Sequence, residues 1–281
     1  MTQESVSPDS DPVGVTTPNT ARVWDYQLGG KDNFAIDRQV ADQINSAMRE
    51  MGVPDGHVVG AENRAFLHRA VTYLAAEAGV SQFLDLGAGL PTMANTHHIA
   101  QRVNPQARVV YVDLDPVVSV HANALLAEDA RALPVRADLR DPDQVLGNPV
   151  VRDFLDFDKP IAVMCIALLH CLADEEDPFG VVRRFRDAVA PGSYLAVSQL
   201  TTEDHPKEAA RLHQLSLDVG MSTPLVPRPR AAIERFFDGF KLVEPGLAFI
   251  NEWRPSEVDV EVGEAQRAGA RWFLAGVGRK D

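Results

Sequence analysis

The chain has 281 residues, of which 45% are hydrophobic and 24% charged, the usual balance of a globular protein. Its formal net charge of −13 argues against a general affinity for nucleic acid or anionic membranes, because there is no basic excess to release counterions. The sequence contains no run of about 18 apolar residues, so no transmembrane helix is predicted. Its two cysteines, Cys165 and Cys171, are typical of buried free thiols in a reducing compartment. We therefore expect a soluble, cytoplasmic protein.

The first part of the chain predicts a tail followed by a pair of helices. Residues 1–20 combine acidic and turn-forming residues, without the basic and then apolar order of a signal peptide, and we expect them to be disordered. Residues 21–80 begin with aromatics and a glycine pair and then become helical, since Val40, Ile44 and Met48 recur at steps of four. A further helical pattern ends at Gly79, so two helices are predicted before the first strand.

Between residues 81 and 200, short apolar runs alternate with amphipathic stretches. The five predicted strands are QFLDL, ARVVYVDLD, LPVRADLRD, PIAVMCIALLHCL and SYLAVSQLT. Strands that alternate with helices form a parallel sheet covered on both faces. Near the C-terminus, two further strand candidates, in FKLVEPGLAFINEW and ARWFLAGVGRK, have no convincing helix between them, which predicts a closing antiparallel hairpin.

The region between the fifth and sixth predicted strands, residues 201–240, is longer than a simple crossover. We predict one helix near Pro206 to Val219, a proline-rich turn, and a second helix near Arg230 to Phe237. An insertion at the carboxyl edge of a sheet commonly covers a substrate site, and a purely structural crossover is the equally open alternative.

The turn after the first strand, DLGAGLP, is similar to a nucleotide-binding glycine loop, with Asp85, Gly87 and Gly89 where a cofactor approaches the backbone. Asp113 ends the second strand 24 residues after Gly89. A carboxylate at that strand end accepts hydrogen bonds from the two hydroxyls of a ribose. Asp115 is a neighbour that competes for this role, although Asp-Pro also suits the start of a helix.

Two more features narrow the choice of cofactor. Asp138 follows the third strand, where a carboxylate can accept from an adenine amine while the backbone of Leu139 meets the ring edge; the alternative is a turn or helix cap. Pro91 removes an N–H and adds bulk where a pyrophosphate needs a close helix terminus. Because the strand-end carboxylates also repel phosphate, a cationic or zwitterionic cofactor fits better, and S-adenosylmethionine is the best candidate.

These motifs also carry a family resemblance. The stretches ARVWDYQLGGKDNF, ENRAFLHRAV, QFLDLGAGLPTMANTHHIAQ, ARVVYVDLDP and ALLHCL resemble the actinobacterial S-adenosylmethionine-dependent methyltransferases once catalogued as a domain of unknown function. The likeness runs from about Ala21 to the end of the chain. It implies a class I methyltransferase fold, an α/β, Rossmann-like seven-stranded mixed sheet with helices on both faces, an antiparallel last strand and an N-terminal helical lid. We expect a single domain over 21–281, divided into a lid (21–80), a cofactor-binding half (81–200), a helical insertion (201–240) and a closing hairpin (241–281).

The resemblance implies roles for the N-terminal segment as well. Helices before the first strand often fold over the cofactor in such enzymes, so we expect Tyr26, Gly29, Gly30 and Lys31 in a lid, the glycines allowing close backbone approach. Lys31 or Arg64 is expected to pair with the carboxylate of the methionine portion, the alternative for Arg64 being a solvated helix charge. Two further cofactor contacts are assigned near strand ends: Leu114 and Ile166.

Three histidines are candidates for chemistry. His170 ends the fourth predicted strand, where class I enzymes place groups that face the methyl acceptor, and it is our candidate general base. The alternative is a hydrogen-bonded structural histidine. His97 and His98 are neighbours in a helix, where adjacent side chains point about 100° apart, so we predict no metal site there.

The predicted function is methyl transfer from S-adenosylmethionine to a small-molecule acceptor, by O- or N-methylation. No nucleic-acid or membrane partner is expected, and a homo-oligomer is left open. A cofactor-binding sensor or regulatory protein without turnover shares every cofactor residue named above and stays open as an alternative. An NAD-dependent oxidoreductase does not fit Pro91 or the closing hairpin.

Overall fold

The chain folds around one twisted sheet. A computed structural model describes residues 17–90, 95–126, 129–255 and 271–281. The strands are β1 Gln82–Leu86, β2 Arg108–Asp113, β3 Ala132–Arg136, β4 Ala162–Ile166, β5 Tyr194–Leu200, β6 Lys241–Leu242, β7 Ala248–Phe249 and β8 Phe273–Arg279. They lie in the order β3-β2-β1-β4-β5-β8-β6, with β7 paired to β8.

Helices flank this sheet. They are α1 Thr20–Gln27, α2 Ala35–Glu50, α3 Gly56–Ala76, α4 Thr96–Val103, α5 Pro116–Leu126, α6 Asp143–Leu146, α7 Pro149–Phe154, α8 Pro178–Ala188, α9 Pro206–Asp218 and α10 Arg230–Glu234. Among these described helices, none is both long and apolar enough to cross a bilayer.

The direction of the strands confirms the predicted fold class. β1 to β5 pair in parallel, and β8 runs antiparallel to β5 along its full length. The sheet has one strand more than predicted because residues 241–249 form two short strands, β6 and β7, on either side of a turn. Both pair antiparallel with β8, so the C-terminal part of the sheet is closed as expected.

Successive side chains of each strand point to opposite faces of the sheet, which divides the core into two layers. On β2, Val109 and Tyr111 pack in the layer beneath α1 to α5 and α9, whereas Val110 and Val112 pack in the layer beneath α6, α7, α8 and α10. β4 is buried on both faces, as its continuous apolar sequence predicts. Since the parallel strands share a direction, their carboxyl ends meet at one edge of the sheet.

Three helices precede β1, one more than the sequence predicts. α1 begins at Thr20 because the side chain of Asn19 caps it, accepting hydrogen bonds from the N–H groups of Ala21 and Arg22. A helix of eight residues is not stable by itself and depends on tertiary contacts, so periodicity could not reveal it. Residues 17–20, which were expected in a disordered tail, belong to the fold, and residues 1–16 lie outside the described part.

Candidate functional site

A cavity of about 510 Å³ opens at the carboxyl ends of the parallel strands. Its floor is formed by the turns that follow β1, β2, β3 and β4, and its roof by α1, α2, α3 and the insertion. The hydroxyls of Thr20 and Thr223 lie 2.7 Å apart and join α1 to the insertion across this roof. The insertion therefore covers the cavity and is more than a crossover.

The cavity has two parts of different chemistry. The strand-end pocket contains the predicted acidic residues and the glycine loop: Asp85, Gly87, Gly89, Asp113, Asp138 and their neighbours. The apolar chamber lies beneath the N-terminal helices and the insertion, and its walls include Trp24, Met48, Leu212, Met221, Trp272 and Phe273 together with His170.

The glycine loop has the backbone conformation that requires glycine. Gly87 and Gly89 have φ angles of 62° and 66°, in the left-handed region that side chains disfavour. A Cβ atom at Gly87 would also collide with the side chain of Leu168, so the loop can lie against the end of β4 only with glycine there. Pro91, on which the choice of cofactor partly rested, lies outside the described residues.

Asp113 is in direct contact with the glycine loop. Its Oδ2 atom accepts a hydrogen bond from the N–H of Gly89 at 2.9 Å, and its Oδ1 atom accepts one from the N–H of Asp115, also at 2.9 Å. Burial raises the pKa of this carboxyl. Asp115 has a different role, since its carboxylate accepts from the N–H of Val117 at the start of α5 and pairs with Arg22. Within the protein the two carboxylates therefore have different partners: Asp113 holds the glycine loop, and Asp115 anchors α1.

Asp85 is a buried carboxyl with a raised pKa. The hydroxyl of Thr96 donates to it at 2.6 Å, and burial raises its pKa to about 6 against the opposing effects of that bond and of the Arg64 charge. Arg64 itself donates to Asn95 at 3.1 Å and lines the cavity, which places it in the site and not on a solvated helix face. Burial lowers the pKa of Arg64.

After β3, the two residues predicted to contact adenine, Asp138 and Leu139, line the pocket, and Asp138 also has partners within the protein. The carboxylate of Asp138 forms a two-pronged pair with Arg140, with N–O distances of 2.7 to 3.0 Å, and this pairing lowers the pKa of Asp138. The remaining predicted residues of this region also line the cavity: Leu114, Leu139 and Ile166.

Three predicted lid residues do not reach the cavity. The hydroxyl of Tyr26 donates to Asp42 at 3.2 Å on the outer side of α1, and Lys31 is exposed. Gly30 packs so tightly against the carboxyl of Asp25 that a Cβ atom there would collide with it. The positions of these three residues give their predicted cofactor role no support: Tyr26 lies on a different face of α1 from Trp24, which lines the cavity, and Gly30 and Lys31 follow the end of the helix.

His170 lies in a 3₁₀ turn after β4 and lines the apolar chamber. Its ring is buried, stands edge-on to Phe273 with centroids 5.4 Å apart, and its Nδ1 atom has no hydrogen-bond partner among the described residues. The unpartnered Nδ1 atom gives no support to a structural histidine that is hydrogen-bonded through that nitrogen. Burial and the charge of Arg228 lower the pKa of His170 to about 3, so the ring is neutral at physiological pH.

The expectation that His97 and His98 point apart is wrong. Their ring centroids are only 3.9 Å apart, and the side chain of His98 folds back toward the start of α4. The Nδ1 atom of His97 is 2.7 Å from the hydroxyl of Tyr111, and the Nδ1 atom of His98 accepts from the N–H of Asn95. Within the described ranges, no cluster of three or more potential metal-binding side chains occurs.

Sequence reasoning missed a relay that fixes the end of β4. Ala167 has a φ angle of 52°, a strained value for a residue with a side chain. Its N–H donates to the hydroxyl of Ser198 at 2.9 Å, and that hydroxyl donates to Asn63 of α3 at 2.6 Å. The relay connects the N-terminal helices to the turn that carries His170. No local motif signals it, because its members come from three distant parts of the chain.

Comparison with known proteins places this geometry in a family. The sequence matches the family described as S-adenosyl methyltransferase over residues 7–281. A structure of a candidate methyltransferase from Thermobifida fusca is 44% identical, with 94% of this chain and 96% of that chain covered and a TM-score of 0.84. A DUF574 family protein from Streptomyces avermitilis is 38% identical, with 94% and 98% covered and a TM-score of 0.86.

A more distant structure shares the fold alone. An O-methyltransferase family protein from Burkholderia thailandensis is 17% identical, with 92% of this chain and 64% of that chain covered and a TM-score of 0.52. No curated protein matches the sequence. The family resemblance found in the sequence is confirmed.

Proposed function

The chain belongs to the S-adenosyl methyltransferase family, and from this premise we propose that it transfers a methyl group from S-adenosylmethionine to an oxygen or nitrogen of a small molecule. The family fixes the cofactor, S-adenosylmethionine. The main observation behind the rest of the proposal is that the cavity is continuous: the acidic strand-end pocket leads into the apolar chamber.

The strand-end pocket supports this function because its residues fit an adenosine that bears a charged sulfur. The Asp113 carboxylate has acceptor capacity left after its two backbone hydrogen bonds, as the ribose hydroxyls require. Asp138, paired with Arg140, and Leu139 line the part of the pocket where the adenine would lie, and Arg64 lines it on the side proposed for the carboxylate of the methionine portion. The cofactor supplies an electrophilic methyl group on a sulfonium, and the buried carboxylate of Asp85 favours that positive charge over a phosphate.

The apolar chamber supports turnover on a small acceptor. Transfer of a methyl group mainly requires alignment, so the task of the chain is to hold the acceptor in line and to exclude water. The roof of helices and insertion covers the space, and the net charge of −13 disfavours nucleic acid as the acceptor. A sensor that only binds the cofactor would not need a second chamber beside it.

The proposal is tested by calorimetric titration with S-adenosylhomocysteine, the neutral product of the cofactor. We expect binding at one site, and the variant Asp113→Asn should weaken it about ten- to hundredfold, because hydrogen bonds to a charged acceptor contribute about 1.5–3 kcal/mol. Asp141→Asn, which changes an aspartate a short distance beyond the pocket, should have no effect. Equal affinity in Asp113→Asn and the wild type, or preferential binding of NAD, would overturn the assignment.

A further inference from the structure

The apolar chamber is built to receive a ring. Phe273, at the start of β8, lies between Trp24 of α1 and His170, with centroid distances of 6.4 Å and 5.4 Å and ring planes inclined by 56° and 85°. These three rings form one wall of the chamber. Flexible or aliphatic side chains supply other parts of the lining, among them Met48, Leu212 and Met221. An aromatic wall beside adaptable methionines suits a flat, apolar ligand.

Two polar atoms of this chamber have no partner within the protein. The Nδ1 atom of His170 and the Nε1–H of Trp272 are both buried, and neither makes a hydrogen bond among the described residues. Polar atoms in such surroundings are almost always paired. Both residues line the cavity, so a ligand whose hydroxyl group reaches these buried atoms would supply the missing polar contact.

Charge narrows the ligand further. Asp25 is the charged residue beside Trp24 on α1, and its carboxylate already accepts from the N–H of Asp32 and the side chain of Asn33. Its pKa is raised, principally by burial. The Asp25 carboxylate thus has its partners in the loop after α1, and a ligand of either charge would lose its hydration in the apolar chamber.

We propose that the methyl acceptor is a neutral aromatic hydroxyl compound, whose ring packs against Trp24 and Phe273 and whose hydroxyl donates to His170. This inference rests on the proposed methyl transfer and specifies its substrate class. The acceptor oxygen bonds to the methyl carbon, and the carbon–sulfur bond breaks with its electron pair returning to sulfur. The hydroxyl proton passes to His170 and then to water. An oxygen that is forming a third bond is strongly acidic, so a weakly basic ring can take this proton.

The test uses three probes that share a naphthalene ring and differ in charge: 2-naphthol, 2-naphthoate and 2-naphthylmethylammonium. Each is titrated at pH 7.5 against the full chain, both alone and saturated with S-adenosylhomocysteine. We expect 2-naphthol to bind about tenfold tighter than either charged probe. With S-adenosylmethionine in place of the product, 2-methoxynaphthalene should form. Tighter binding of the anion or the cation would overturn the proposal.

Two methionines provide a matched pair of variants. Met221→Trp fills the chamber and should lower the affinity for 2-naphthol about tenfold, leaving S-adenosylhomocysteine binding unchanged. Met51→Trp enlarges a similarly half-buried methionine that does not line the cavity, and it should change neither affinity. An unchanged 2-naphthol affinity in Met221→Trp would contradict the chamber as the binding site.

The variant His170→Phe distinguishes a hydrogen bond between His170 and the ligand hydroxyl from simple packing of the ring. This variant keeps a ring but removes the acceptor nitrogen, so it should weaken 2-naphthol about fivefold and leave naphthalene unaffected. Equal losses for both ligands would show a packing role only. Failure of S-adenosylhomocysteine to bind would refute the proposed function, whereas its binding with no 2-naphthol binding would refute only the acceptor class.

Discussion

The strand-end pocket and the apolar chamber are parts of one cavity, and they arise from the sequence in different ways. Every acidic residue of the pocket stands at or just after the end of a parallel strand, so the direction of the strands brings Asp85, Asp113 and Asp138 to one edge. The chamber joins α1, α2, α9 and the start of β8, which are far apart in the chain. Short-range patterns determine the pocket, and long-range packing determines the chamber.

The two parts are held together by one buried arginine. Arg22 of α1 pairs with Asp37 of α2 at 2.8 Å and with Asp115, after β2, at 3.1 Å. All three side chains are buried, and Asp115 in turn donates its N–H to Asp113. The roof of the chamber is therefore fixed to the strand end that carries the proposed ribose carboxylate.

The largest effect is expected when this connection is broken. Arg22→Met leaves two buried carboxylates without their partner and should lower the free energy of unfolding by about 3–5 kcal/mol. Urea denaturation at pH 7 measures the change. Arg49→Met, which removes an exposed pair with Asp55, is the control and should lower it by no more than about 1 kcal/mol. Similar losses in both variants would contradict a special connection through Arg22.

A smaller loss in the free energy of unfolding is expected at acidic pH, because of His170 in the chamber. The folded-state pKa of His170, about 3, lies below the ordinary value near 6.5, so the unfolded chain binds a proton first as the pH falls. Its contribution to stability is therefore present above pH 6.5 and is lost as the pH falls toward 3. Between pH 7 and pH 5 this loss amounts to about 2 kcal/mol, at about 1.4 kcal/mol per pH unit below 6.5.

His170→Phe should remove that part of the acid dependence, as measured by urea denaturation at pH 7 and pH 5. His121→Asn removes a half-exposed histidine and serves as the comparison for losing any histidine. If the free energy of unfolding changed equally between pH 7 and pH 5 in His170→Phe and in the wild type, this would contradict a neutral, buried ring in the chamber.

The smallest effect concerns the strand-end pocket. Because burial raises the pKa of Asp85 to about 6, this group is charged at pH 7.5 and largely neutral at pH 5. The positively charged S-adenosylmethionine should therefore bind more tightly relative to neutral S-adenosylhomocysteine at pH 7.5, by up to about tenfold, or about 1.4 kcal/mol. Calorimetry at the two pH values measures the ratio, and Asp85→Asn should make it independent of pH. A constant ratio in the wild type would show that Asp85 does not sense the sulfonium.

Some contacts of the cavity could be predicted from the sequence, and others could not. The contact between Gly89 and Asp113 was predictable, since both residues follow neighbouring parallel strands. The convergence of His97 and His98 was not, because helical geometry alone says nothing about side chains that fold back at a first turn. Tyr26 and Lys31 were expected in a lid from the family resemblance. Which face of α1 reaches the cavity depends on Asn19 and Arg22, which fix how the helix begins and packs, and Lys31 lies beyond the end of that helix.

The most direct test of the two-part cavity is a crystal structure of the chain with S-adenosylhomocysteine bound. We expect both ribose hydroxyls within hydrogen-bond distance of the Asp113 carboxylate, the adenine beside Asp138 and Leu139, and the sulfur directed toward the chamber that contains His170 and Phe273. A ligand that met no carboxylate at Asp113, or whose adenine filled the space between Trp24 and Phe273, would contradict the division of the cavity into a cofactor pocket and an acceptor chamber.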